Sequence, residues 1–98
     1  MRRVVEDVVL QAMSGYRGSE RFVIFIVNRE TARALVWDGT PAGTLLPPGT
    51  SLRDLDGWHW TLWDRSSRSC LDEDSGAGGA ARIRARLWEL KTKMAEPD

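Results

Sequence analysis

A small α+β domain is what this 98-residue sequence predicts: an antiparallel sheet of three to four strands packed with an N-terminal and a C-terminal helix. Three observations carry that expectation. The run Phe22-Val23-Ile24-Phe25-Ile26-Val27 is β-branched or aromatic at every position and too short for a helix. A strand apolar on both faces must be central, with helices on opposite faces or a second copy of the chain covering it. Near the C-terminus, Ala80, Ile83, Leu87, Leu90 and Met94 recur at helical spacing, with Arg82, Arg86, Glu89 and Lys93 forming a charged stripe behind them. Between these segments lies Trp58-His59-Trp60-Thr61-Leu62-Trp63-Asp64, which holds three of the five tryptophans and the lone histidine.

The elements follow in order. Val4, Val5, Val8, Val9 and Ala12 occupy one helical face over 3–13, a spacing that strand alternation does not fit, although valine is a poor helix former. Ser14-Gly15 supplies the stop. The sheet is expected over 21–64, with strands at about 21–28, 32–38 and 58–64 and a further short edge strand over 68–71. Asn28 to Thr31 reads as a hairpin loop. The 39–57 connection is an irregular loop, rich in proline and glycine over Thr40–Gly49, followed by a capped helical turn at 50–55. Asp72-Glu73-Asp74 and the glycines after them read as a flexible linker over 72–79, leading into a helix over 80–95. The whole of 1–98 is one domain, since this length supports only one modest core.

Fourteen basic residues balance fourteen acidic ones, so there is no global field to draw in a polyanion, and any such site must be a local patch. A single cysteine, Cys70, forms no intramolecular disulfide and no zinc cluster, which points to a reducing cytoplasm. The longest apolar run, Phe22 to Val27, is too short to span a bilayer, so no membrane association is expected.

No motif for chemistry is complete in this sequence. Gly76-x-Gly78-x-x-Ala81 resembles a phosphate-binding turn, but acidic residues precede it and no βαβ unit follows. The acidic stretch lacks the glycine and glutamate of a calcium loop. Nothing around Cys70 or His59 orients a nucleophile and base, and His59 has no second histidine for a metal. No catalysis, metal or cofactor is expected.

The aromatic excess points to binding instead. On the tryptophan strand, Trp58, Trp60 and Leu62 share one face, while His59, Thr61 and Trp63 share the other. With the first face in the core, Trp63, His59 and Thr61 point outward and, with Trp37, form the expected protein-binding surface. The expected function is therefore a small cytoplasmic adaptor, inhibitor or regulatory subunit, of the kind found among prokaryotic and phage accessory factors, acting by occupying a surface. Self-association through such a surface is a variant of the same reading. The alternative is nucleic-acid binding by the C-terminal helix, with Arg82, Arg84, Arg86, Lys91 and Lys93 on phosphates and Trp88 stacking on bases.

Overall fold

In a computed structural model, which describes residues 2–16, 18–39, 55 and 57–95, the chain forms two helices and a four-stranded antiparallel sheet. Helix α1 spans Arg2–Ser14, strands β1 to β4 span Phe22–Asn28, Arg33–Trp37, His59–Asp64 and Ser69–Ser75, and helix α2 spans Gly76–Ala95. The sheet order is β2-β1-β3-β4, so the doubly apolar β1 lies inside, as its composition requires. The expected 40–49 loop and the first residues of the turn at 50–55 lie outside the described residues; Leu55, at the end of that turn, is buried in the core.

Strand alternation divides the apolar side chains into two cores. Phe22, Ile24 and Ile26 of β1 join Leu35, Trp60 and Leu62 against Ala80, Ile83 and Leu87 of α2. Val23, Phe25 and Val27 join Val36 and Trp63 against Val9 of α1, with Val5, Val8 and Ala12 at the margin. The helices therefore cover opposite faces, and every residue of β1 from Phe22 to Val27 is buried. Valine-rich α1 is helical because its apolar pairs face this second core; tertiary burial overrides weak propensity.

Two expectations are corrected. Residues 72–79 are not a linker: Asp72-Glu73-Asp74 complete β4, and the glycines open α2. Gly76, at φ +82°, takes the left-handed conformation that turns the strand into the helix. An added Cβ at Gly79 would lie 2.8 Å from the Asp74 Cγ, so only glycine leaves room for that side chain. Nor does the face carrying Trp63, Thr61 and His59 point outward. All three are buried, Trp63 in the core that α1 caps, Thr61 beside it, and His59 among Arg29, Glu73 and Ser75. The Trp63 indole N–H donates to Thr61 Oγ1 at 2.9 Å, and the Thr61 hydroxyl donates to the Phe25 carbonyl at 2.8 Å, satisfying both polar groups inside the core.

The acidic edge strand is held by one arginine. Arg82 donates through Nη1 and Nη2 to both Asp72 oxygens at 2.7 and 2.9 Å, through Nε to Asp74 at 2.9 Å, and through Nη2 to the Glu73 carbonyl at 3.2 Å. The Arg65 N–H bonds the Arg21 carbonyl at 2.8 Å, which places the odd-numbered residues of β3 in the β1 ladder and the even-numbered ones in the β4 ladder. Glu73 and Ser75 thus turn their amides to the open edge. There the Asp72 and Asp74 carboxylates accept them at 2.9 and 2.8 Å. The edge that would template another strand is closed by its own side chains.

Two outcomes are expected. Trp63→Ala should cost about 3–5 kcal/mol in urea unfolding, as for a buried aromatic, and a cost below about 1 kcal/mol would contradict its place in the core. Arg82 holds the Asp72 and Asp74 carboxyls below their usual range, chiefly by hydrogen bonding. Their contribution is complete above the unfolded carboxyl pKa near ~3.9 and is lost as pH falls through the depressed folded values. Arg82→Ala should therefore accelerate hydrogen exchange at Glu73 and Ser75 at neutral pH, with the variant and wild type converging in acid. Equal exchange at neutral pH would contradict the clasp.

Candidate functional site

Two surfaces carry the side chains of interest, one on each side of the sheet. The first runs along the flank of α2. Trp88, Lys91 and Met94 follow one another at i, i+3 and i+6, and Trp88 and Met94 are 49% and 56% exposed. Trp88 is not loose. The Trp37 ring meets it edge-to-face, with centroids 6.4 Å apart and planes at 86°, and Trp37 itself packs on the α2-side core. The Lys91 ammonium sits 5.3 Å from the centre of the Trp88 ring and is fixed by an ion pair to Glu20 at 2.9 Å. Gly39, at φ +86°, comes close enough to Trp88 that a Cβ there would meet the indole at 3.0 Å. The result is a half-exposed indole held in one orientation by an aromatic wall and a cation, the arrangement that makes a tryptophan an effective binding anchor.

This geometry also relocates the cations of α2. Arg82 belongs to the β4 clasp, and Arg84 stacks over the buried Trp60 ring at 5.2 Å. Arg86 pairs with Glu89 at 3.6 Å, and Lys91 with Glu20. Of the five cations expected to meet phosphates, only Lys93 has no partner among the described residues. The local charge of the segment is largely answered within the fold.

The second surface is a groove of about 970 Å³ on the α1 side. Helix α1 packs on β1 and β2, so the β3–β4 half of that face forms the groove floor, with Thr61 and Trp63 at its base. Val5 and Glu6 form one wall, Cys70 to Glu73 the other, and Arg29 and Arg68 also line it. Register shifts between Leu62 and Trp63, which pair with Asp72 and Cys70, so Leu71 is a bulged residue; it is 42% exposed.

His59 closes one end of this groove. Its Nδ1 lies 3.0 Å from Arg29 Nη2 and 2.7 Å from the Ser75 hydroxyl, and its Nε2 lies 3.3 Å from Glu73 Oε1. Because arginine can only donate, Nδ1 must accept, and the ring proton sits on Nε2, donated to Glu73. Burial, and then the Arg29 charge, lower the His59 pKa, so the ring is neutral at physiological pH. Cys70 lies on the same face, its Sγ 3.8 Å from Glu73 Oε2. Desolvation and the Glu73 carboxylate push its thiol up to about 11. The structure thus brings Cys70 and His59 onto one surface, but the carboxylate between them keeps the sulfur protonated, the opposite of what an activated nucleophile requires. Among the described residues, no three His, Cys, Asp or Glu side chains gather as a metal site, and no helix is long and apolar enough to cross a membrane.

Of the residues expected to bind protein, Trp63, Thr61 and His59 are floor and end wall rather than exposed anchors, whereas Trp37 backs the half-exposed Trp88. Glu73, Ser75 and Arg29 escaped sequence reasoning. For Glu73 and Ser75 the signal is cross-strand: Ser75 stands opposite His59 and Glu73 opposite Thr61, a register that requires β4 to extend through residues otherwise read as linker. Comparison with known proteins gives no matching family model, no curated relative and no solved structure of matching fold.

The thiol supplies a direct check. At submicromolar protein, the alkylation rate of Cys70 should still be rising about tenfold per pH unit between pH 9 and 10, where an ordinary thiol of pKa near ~8.5 has levelled off. Glu73→Gln should move the profile toward lower pH. A plateau below pH 9 in the wild type would contradict the assigned environment.

Proposed function

We propose that the chain is a protein-binding module that engages a partner protein through the Trp37–Trp88 patch on the flank of α2, acting as an adaptor, inhibitor or regulatory subunit by occupying a surface. The observation that supports this most is the half-exposed Trp88 braced edge-on by Trp37 and capped by Lys91. A large indole held in place has little conformational entropy left to lose on binding, which favours affinity. Its neighbours Lys91 and Met94 extend the patch with a cation and a flexible apolar side chain, both able to follow a partner's contour. The cytoplasm, where the lone Cys70 stays reduced, is the compartment that fits this reading.

Nucleic-acid binding by the same helix is less well supported. Phosphate contacts need cations free to leave their present partners, and Arg82, Arg84, Arg86 and Lys91 are already engaged by carboxylates or rings. The two readings separate on salt. A protein partner held by Trp88 should bind with weak salt dependence, whereas each phosphate contact would steepen the logarithmic slope by about 0.7 to 0.9.

The test is capture of partners from a lysate of the cell that makes the protein, with and without nuclease, by wild type and by Trp88→Ala. A nuclease-resistant protein should be retained by wild type, and its affinity should fall at least ~30-fold in Trp88→Ala, the loss expected of a hot-spot tryptophan. The variant should keep the wild-type circular dichroism spectrum, because the ring is half in solvent. Retention at equal affinity by the variant, or partners that vanish with nuclease, would overturn the reading.

A further inference from the structure

The register of β3 against β4 gathers three side chains that lie far apart in sequence. His59 and Ser75 stand opposite each other, and because the odd-numbered residues of β3 bond to β1, they form a non-hydrogen-bonded pair, the kind whose side chains lie closest. Glu73 is two residues away on the same face of β4, on the diagonal from His59. The ring therefore has a hydroxyl at one nitrogen and a carboxylate at the other. Ser75 Oγ lies 2.7 Å from Nδ1, and Glu73 Oε1 lies 3.3 Å from Nε2.

The protons in this row have a direction. Nδ1 accepts, since Arg29 donates to it, so the Ser75 hydroxyl is a second donor to that lone pair and the Nε2 proton is turned to Glu73. A hydroxyl aimed at an imidazole lone pair, with a carboxylate orienting the ring from its far nitrogen, is the arrangement that activates a serine. Ser75 is exposed, and a depression of about 500 Å³ opens beside it. Ser75, His59 and Arg29 line this depression, with Trp58 and Val27 adding apolar surface, while Glu73 lines the groove on the other side of the ring. Arg29 has no carboxylate partner among the described residues, and its turn is fixed by Asn28 Oδ1, which accepts the Glu30 and Thr31 amides at 3.0 and 3.2 Å. A guanidinium that is not neutralised, 3.0 Å from the base, is placed to stabilise negative charge formed on an acyl group at Ser75.

We propose that Ser75, His59 and Glu73 form a hydrolytic centre for small carboxylic esters, with Ser75 as nucleophile, His59 as base, Glu73 as the positioning residue and Arg29 on the oxyanion. Ser75 Oγ attacks the carbonyl carbon while its proton passes to His59 Nδ1, and Arg29 leaves Nδ1 for the carbonyl oxygen, which becomes the oxyanion. Collapse breaks the ester C–O bond, and the Nδ1 proton goes to the departing alkoxide, releasing the alcohol and leaving acyl-Ser75. Water then attacks the acyl carbon and gives one proton to Nδ1. Collapse of the second tetrahedral species returns that proton to Ser75 Oγ and releases the acid. The centre lies on the α1 side of the sheet, away from the Trp88 patch, so the two functions are separate.

The full chain is tested with two probes: a fluorophosphonate, located by peptide mass spectrometry, and p-nitrophenyl acetate, followed by release of nitrophenolate. The fluorophosphonate should form one adduct, on Ser75. Ser75→Ala, which changes an exposed side chain, should lose at least ~100-fold of the hydrolysis rate. Cys70→Ala should hydrolyse as wild type does, which separates the serine from acylation of the thiol. Arg29→Gln should lower kcat about 100-fold, the loss expected for one oxyanion donor. The charges acting on the ring are Arg29 from the β1–β2 turn and Glu73 and Asp74 from β4; burial and Arg29 lower its pKa, and Glu73 raises it. The wild-type rate should therefore be full at neutral pH and fall in acid with a midpoint below the ordinary imidazole value near ~6.5. Glu73→Gln should move that midpoint to still lower pH, which a merely structural role would not do. No adduct on Ser75, hydrolysis by Ser75→Ala at the wild-type rate, or a midpoint that Glu73→Gln leaves in place would each overturn the proposal.

Discussion

Six consecutive apolar residues in one short strand impose the constraint on which the rest of this structure depends. Residues 22–27 form a strand whose side chains point alternately to two faces, and no single layer can bury both. The chain answers with one helix per face, drawn from its two ends, and with β3 hydrogen-bonded alongside β1 in near-perfect register. Once that is in place, the identities of many other residues follow. Trp60 and Trp63, on adjacent but opposite faces of β3, fill one core each. Two thin cores served by one sheet consume large side chains quickly, which is why a chain of this size carries so many tryptophans and still exposes only one of the described ones by half.

Where apolar packing runs out at the margins, charged and polar pairs take over. Arg21 holds Asp64 at 2.9 and 3.0 Å across the start of β1 and the end of β3. Arg65 stacks over Tyr16 at 4.6 Å and bonds the Glu20 carbonyl at 2.7 Å, tying the α1–β1 connection to β3. Tyr16 donates to the buried Asp38, and burial with that hydrogen bond pushes its hydroxyl up to about 12, so it remains a donor across the physiological range. Among the described residues no buried side-chain nitrogen or oxygen lacks a hydrogen-bond partner. The polar frame thus positions the loops without cost to the core, and the surfaces left over are the Trp88 flank and the α1-side groove.

Much of the fold was legible in the chain, and the reasons for the rest are specific. The α+β class, the central β1, the β2 partner and both terminal helices follow from period and composition. Strand alternation also placed Trp60 opposite Trp63 correctly. What alternation cannot say is whether the second face is open, because that depends on where α1 lands, a contact between residues 5–13 and 23–63 with no local signature. Residues 72–75 looked like linker because three carboxylates oppose strand pairing when unpaired, and Arg82, up to ten residues on, reverses that by neutralising two of them. The spacing of Trp88 and Lys91 puts the ring beside a cation on the helix; its bracing by Trp37 has no local signal, since the two lie 51 positions apart in sequence.

Native-state hydrogen exchange, read amide by amide, addresses the central claim most directly: that β1 and β3 are one cooperative unit with both cores built on it. The slowest amides should lie in residues 23–27 and 59–63, with those of α1 and α2 that face the sheet opening at comparable free energies. If instead one helix and its core exchange far faster than the other while β1 stays protected, one face of the strand is dispensable. The two-faced constraint would then not be what organises this fold.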